Sequence, residues 1–492
     1  MIFASGAWAV AWLPSLLPNG TLLQGVVAGL LAAIGYGTGA TLGAIIRLLR
    51  GEKARERPAP RWYVWLAWIC AGAGLVVGAL LAPGLAEQAR AMNSPALVAQ
   101  WLMAAAIGLV TAVVLVFVAR GFRLLARRLG GGPEARTSLR VLGVIGTVVI
   151  VVVVAGLGYL AMKFAFNRID ASTSGQTAPT SSSRSGGPGS LIAFDSLGRE
   201  GRKFVSQGQP ESAIRAFAGL GSADSPQQRA QLAVADMLRA GGADATVWIG
   251  ITTTGNGQID PVAAQVAETT TGGRAAEVAI QYSTLPSWLS FLVNQSQAQE
   301  AGVALYDALV AARDALPAGK RPKLILYGES LGAFGSPAPF AGMTPAEVAQ
   351  RIDGALWVGP PAATDPVTGW TYSGAPPVWQ PTVDGGRTLR YAATAEAAGA
   401  PPGDGPWPTP RILVLQNPTD PVVWFAPKLA IARPDWLDDP RGPGMQPRTT
   451  WTPVLFFLQV AMDLPQAVNM PSGYGHNYAD ALPAAWAQVL GD

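Results

Sequence analysis

Three side chains in this sequence have the chemistry for acyl transfer through a covalent intermediate. Ser330 lies in "KLILYGESLGAF", where strand-forming residues run into Gly328, Glu329, Ser330, Leu331 and Gly332 and then into small apolar residues. A GxSxG pentapeptide alone means little in a chain with 58 Gly among 492 residues. Between a strand and a helix it means more. The glycines make room in a strained turn, and the turn exposes the hydroxyl beside a helix N-terminus. A serine hydroxyl is a weak nucleophile at neutral pH and needs a base. His476, in "PSGYGHNYADALP", is the only imidazole in the chain and lies in a Gly-rich turn before a final amphipathic helix. Asp420, in "RILVLQNPTDPVV", follows a strand and can fix the His476 tautomer and stabilise the imidazolium.

The developing oxyanion needs two amide donors. Leu331, just after the serine, supplies one. The second is expected in "TTTGNG", from Thr254 or Gly255; an ordinary Gly-rich turn is the other reading. Asp365 is the substitute for Asp420, which could instead cap a turn with Pro421. Glu329 reads as a solvent or turn residue. Residues 359–410 hold eleven prolines together with Trp370 and Trp379. Either this insertion lines an acyl pocket or it is an excursion stabilised by its own aromatics. Trp288 and Leu289, in "QYSTLPSWLSFLV", face substrate or bilayer, or pack in the core.

These residues need a frame. Strands are expected at Ile214–Leu220, Thr246–Thr252, Val278–Tyr282, Lys323–Tyr327, Gly354–Val358 and Arg411–Gln416. Helical patterns alternate with them at Ser225–Arg239, Pro261–Glu268 and Gln297–Leu316. That alternation predicts a doubly wound α/β domain over 190–492, with a mostly parallel sheet whose strand C-terminal ends share one edge. Reactive groups gather at that edge. The order Ser330, Asp420, His476 is that of α/β-hydrolases.

The first third differs. Only 13% of the chain is charged, against roughly 25% in soluble domains. Residues 21–46, 62–86, 96–119 and 141–162 contain no Asp, Glu, Lys or Arg. Each run exceeds the roughly 20 residues that span a bilayer as a helix. A transmembrane α-helical bundle over 1–167 follows. Residues 2–17 are apolar and too short to decide between a further span, a re-entrant piece and an interfacial segment. Arginines cluster before the second span and between the third and fourth, which places those loops in the cytoplasm and everything after the fourth span outside. The same clusters explain the net charge of +4 without nucleic acid. Gly25, Gly29, Gly35, Gly39 and Gly43 allow close helix packing, within the bundle or at a dimer seam. Residues 168–189, rich in Ser, Thr, Gly and Pro, read as a flexible linker. One Cys, Cys70, and one His exclude a disulfide framework and a multi-histidine metal site. The chemistry needs no cofactor.

"PSLLP", "GYGTG", "QYSTLPSWLSFLV", "RPKLILYGESLGAF", "QNPTDPVVWF" and "GYGHNY" together cover nearly the whole chain. Through them the sequence resembles the actinobacterial membrane-anchored α/β-hydrolase family, which has an N-terminal multi-span region and a C-terminal domain with a GESLG elbow. The family usually has a fuller span before "PSLLP". The resemblance implies the hydrolase fold and serine chemistry rather than a physiological role. The expected function is a membrane-anchored serine esterase acting on lipid or other acyl esters. Acyl transfer to an envelope acceptor by the same three residues and a non-catalytic scaffold are the alternatives.

Overall fold

The computed structural model describes residues 1–50, 61–92, 101–129, 137–172, 175–293 and 295–491. Lys53, Arg55, Arg57, Arg136 and residues 96–100 of the third expected span lie outside them. The chain forms two compact units. One comprises Met1–Ala161 with Pro427–Pro434 and Gly444–Asp463; the other comprises Met162–Ala426, Asp435–Pro443 and Leu464–Asp492.

The first unit is helical: α1 (Ile2–Val10), α2 (Thr21–Leu49), α3 (Arg61–Ala91), α4 (Trp101–Leu129) and the start of α5 (Thr137–Ala171). Four stretches are long and apolar enough to cross a membrane: Thr21–Ile46, Trp68–Ala91, Trp101–Ala126 and Val148–Ala171. The last three reach further toward the C-terminus than the charge-free runs, because each helix continues past its first charged residue. α1, at 9 residues, rises only about 14 Å and does not span. It packs on α2 and α3 instead.

Gly25 and Gly29 of α2 work inside the bundle. A Cβ on Gly25 would lie 2.7 Å from the Ala104 carbonyl oxygen, and one on Gly29 would lie 2.4 Å from that of Gly108. Just after α1, the "PSLLP" turn is bound by a helix from late in the chain, Leu455–Asp463. Asp463 Oδ2 accepts the Leu16 and Leu17 N–H groups at 3.1 and 3.2 Å, and Ser15 Oγ lies 3.0 Å from Oδ1. Two pieces expected in the C-terminal domain therefore belong to the N-terminal unit.

The second unit is a seven-stranded, all-parallel sheet in the order β1-β3-β2-β4-β5-β7-β6. The strands are β1 (Ile214–Ala218), β2 (Val247–Thr252), β3 (Ala275–Ile280), β4 (Lys323–Glu329), β5 (Gly354–Val358), β6 (Leu389–Ala392) and β7 (Arg411–Leu415). β2 and β3 are buried at every position, as a sheet covered on both faces requires. Helices Pro226–Arg239 and Ser296–Asp314 pack together over β3, while Pro261–Thr270 and Leu482–Leu490 pack together near β3, β5 and β7. Pro226–Arg239 begins with a capping box between Ser225 and Gln228, which satisfies N–H groups the first turn leaves free. N-terminal helices long and apolar enough to cross a membrane are thus followed by a seven-stranded, all-parallel sheet typical of the α/β-hydrolase fold.

Two expectations need correction. β6 lies within residues 359–410, so part of that insertion is an edge strand of the sheet. Residues 175–189 are not a free linker. α5 runs to Ala171, and Arg184 is buried and donates to the carbonyls of Val205, Gln207, Gly208 and Pro210. Ser185 Oγ donates to Asp236 at 2.6 Å. A buried guanidinium demands that many acceptors, and they fix the segment beside β1.

Candidate active site

β4 ends at Glu329 and a helix begins at Leu331, so Ser330 alone makes the turn, at φ 55° and ψ −124°. A non-glycine residue at positive φ signals strain that its surroundings must hold. The two flanking glycines are what permit the turn. A Cβ on Gly328 would sit 2.3 Å from the Gly332 carbonyl oxygen, and one on Gly332 would sit 2.1 Å from that of Thr252. Ser330 N–H donates to Val358 O at 2.9 Å, tying the elbow to the end of β5. The Leu331 N–H is at the first position of a helix, where no intrahelical acceptor exists.

The Asp420 and His476 side chains converge at the same sheet edge. Asp420 caps the short helix Pro421–Trp424 through Oδ1, which accepts Val422 N–H at 2.8 Å. Its Oδ2 lies 2.6 Å from His476 Nδ1 and also accepts Tyr478 Oη–H at 2.7 Å. Capping and orienting are therefore divided between the two oxygens of one buried carboxylate. The imidazole is seated on Gly359, the residue after β5. A Cβ there would lie 2.4 Å from His476 Cε1. The elbow and the imidazole thus flank neighbouring residues, Val358 and Gly359. His476 Nε2 is buried and makes no hydrogen bond among the described residues, to Ser330 Oγ or any other group.

The electrostatics follow from burial. Desolvation works to lower the His476 pKa, but Asp420's charge and hydrogen bond, with Glu329's charge, outweigh it and leave the pKa raised. Glu329 is half-buried. Desolvation, with Asp260's charge, pushes its pKa up to about 7 against the opposing effects of His476 and Tyr327, whose hydroxyl donates to Glu329 Oε2 at 3.1 Å. Burial and the Asp420 charge hold Tyr478 well above its ordinary value, so it stays a phenol and a donor.

Residues 214–492 match the family described as "Alpha/beta-hydrolase family", and residues 13–209 match "Alpha/beta-hydrolase family N-terminus". The chain belongs to the alpha/beta-hydrolase family. Comparison with curated proteins and with solved structures finds no significant match in either. Family membership suggests that the protein is a hydrolase, and the matched segment contains Ser330, Asp420 and His476.

Several expected site residues of this α/β-hydrolase are placed elsewhere. Thr254 N–H donates to Gln258 O at 3.1 Å within its own loop and Gly255 N–H to Ser287 Oγ at 3.2 Å, so both amides are engaged. Trp370 is buried, stacks on Trp357 at 6.1 Å and donates to Met343 O. It serves the core. Trp379 donates to Pro440 O at 2.9 Å. Leu289 is buried in Ser287–Val293, a helix packed against the elbow helix. Trp288 belongs to the same helix, and its side chain lies outside the described residues. Asp365 is exposed. Thr253 and Tyr478 were not among the expected site residues, and Glu329, expected as a solvent or turn residue, is half-buried and accepts from Tyr327 instead. Thr253 is buried just after β2, and its N–H has no acceptor among the described residues. Only its place beside "TTTGNG" could have pointed to it.

Proposed function

We propose that this hydrolase cleaves carboxylic esters of membrane lipids through an acyl-enzyme on Ser330. The observation that carries the reading is the buried 2.6 Å contact between Asp420 and the chain's only imidazole, at the sheet edge that bears a strained serine elbow. In the first half-reaction Ser330 Oγ attacks the ester carbonyl carbon, and His476 Nε2 takes the hydroxyl proton. Asp420 holds Nδ1–H toward itself and stabilises the imidazolium. The tetrahedral oxyanion is bound by the N–H groups of Leu331 and, in place of Thr254 or Gly255, Thr253. The C–O bond to the leaving alcohol then breaks, and His476 returns the proton to that oxygen. Water attacks the acyl carbon with His476 as base. The acid leaves, and Ser330 regains its proton.

A lipid substrate is supported by where α5 ends. Gln281 Nε2, just after β3, donates to Asp170 Oδ1 at 3.0 Å, and Thr284 Oγ1 donates to Asn167 Oδ1 at 2.5 Å. The last turn of a candidate membrane span is therefore fastened to a loop on the same edge as Ser330. The arginine clusters favour an extracytoplasmic site. The test is hydrolysis of short- and long-chain p-nitrophenyl esters and of vesicle phospholipid by wild type and Ser330→Ala. Ester cleavage abolished in Ser330→Ala supports the reading. Equal cleavage by both proteins, or none by wild type, contradicts it.

A further inference from the structure

We propose that the membrane unit holds an anionic glycerophospholipid, with an acyl chain in a groove among α1, α2, α3 and α4 and its phosphate on Arg120 and Tyr36. The groove has a volume of about 650 Å³, within the range of about 300–1,000 Å³ common to small-molecule sites. Its floor is made by Ala32, Ala105 and Trp8, all nearly fully buried, and its rim by exposed Leu109 and Phe117. Such a lining gives water too few polar partners, and a hydrocarbon chain suits it. The α4 residues along it run from Trp101 to Arg120. That is about 28 Å at 1.5 Å per residue, long enough for an extended acyl chain.

The polar end of the groove selects the head group. Arg120 Nη2 donates to Tyr36 Oη at 3.2 Å, which leaves other guanidinium N–H groups for a ligand. A smaller apolar groove of about 220 Å³ also reaches Tyr36 and Arg120 and adds Arg123. Two chain paths therefore meet at two cations, as a diacyl lipid requires. The described carboxylates of this unit are Glu87 and Asp463; Asp463 is bound to the "PSLLP" turn, and neither pairs with Arg120.

Charge also argues against protein occupants. α5 follows α4 in the chain, so seating it in the groove would bring Arg140, near its start, toward the arginine-bearing end of α4. A second copy would bring its own arginines. Both set like charges together, whereas a phosphodiester offers Arg120 a charge-assisted hydrogen bond.

The test is native mass spectrometry of the full chain released from nanodiscs of phosphatidylcholine with a minor share of phosphatidylglycerol. The expected result is one phosphatidylglycerol retained by wild type and by Arg128→Gln, which lies off the groove. Retention should fall about tenfold in Arg120→Gln, where a charge-assisted bond is lost, and similarly in Ala105→Phe, which fills the floor. Arg120→Gln alters an exposed side chain and keeps the test sound if Ala105→Phe fails to fold. The proposal is overturned if wild type retains phosphatidylcholine equally. It is also overturned if Arg120→Gln retains phosphatidylglycerol like wild type, or if Ala105→Phe dissolves a dimer instead of releasing lipid. None of these outcomes depends on ester hydrolysis.

Discussion

Asp420 Oδ2 sits 2.6 Å from His476 Nδ1, and both groups are buried. One carboxylate oxygen therefore has both the imidazole and the Tyr478 hydroxyl on it. If this contact sets the tautomer, Asp420→Asn lowers kcat/KM for a p-nitrophenyl ester by about 10⁴-fold. Tyr478→Phe removes only a supporting hydrogen bond, and the expected loss is about tenfold. Steady-state kinetics on both variants check this, and near-equal losses would assign Tyr478 a larger part.

The raised His476 pKa predicts a pH profile. The imidazole must be neutral to take the Ser330 proton, so kcat/KM rises with pH as the imidazolium deprotonates, with a midpoint above the ordinary value of about 6.5. Ionised Glu329 stabilises the imidazolium. Glu329→Gln removes that charge, so His476 loses its proton more easily and the acid limb moves to lower pH. A pH–rate series on the two proteins reads the shift; an unmoved or upward-shifted limb contradicts the electrostatic account.

Gly359 has φ +56° and carries the imidazole where a Cβ would stand. Gly359→Ala pushes His476 off its seat, with backbone strain of about 1–2 kcal/mol. The expected result is a loss of at least about 100-fold in kcat/KM with a melting temperature lowered by only a few degrees. Differential scanning fluorimetry beside kinetics separates the two effects.

Asp463 predicts a stability effect. Desolvation raises its pKa to about 8, against the donors from Ser15, Leu16 and Leu17. The neutral acid fits the geometry, since its hydroxyl can donate to Ser15 Oγ while Oδ2 accepts the two amides. Unfolding releases the group to about 3.9, so the folded form binds the extra proton between those values. Stability is then greatest below about 4 and declines as pH rises toward 8. Asp463→Asn keeps the acceptor and the donor without the titration. Melting temperature against pH should slope downward for wild type and be flatter for the variant; parallel curves contradict this.

The elbow was legible because it is local: strand formers, two glycines and small residues specify the turn within a dozen positions. His476, the proposed base, stood out because the chain has one imidazole. Other features depended on distant partners. Whether Thr254 or Gly255 could donate was settled by Gln258 and Ser287, through turn geometry that the glycine-rich string conceals. β6 has four residues at the sheet edge in a proline-rich stretch, too short for a period-2 signal. Arg184 hid in a Ser/Gly-rich segment because its four carbonyl partners come from residues 205–210. Trp370 looked like a pocket aromatic until Trp357 stacked on it.

The most direct test of the central claim is to treat the full chain with a fluorophosphonate and locate the adduct by peptide mass spectrometry. The account predicts an adduct on Ser330 alone, absent in Ser330→Ala and slowed by at least about 10³-fold in His476→Ala. An adduct on another residue, or labelling of Ser330 that proceeds unchanged without His476, would contradict it.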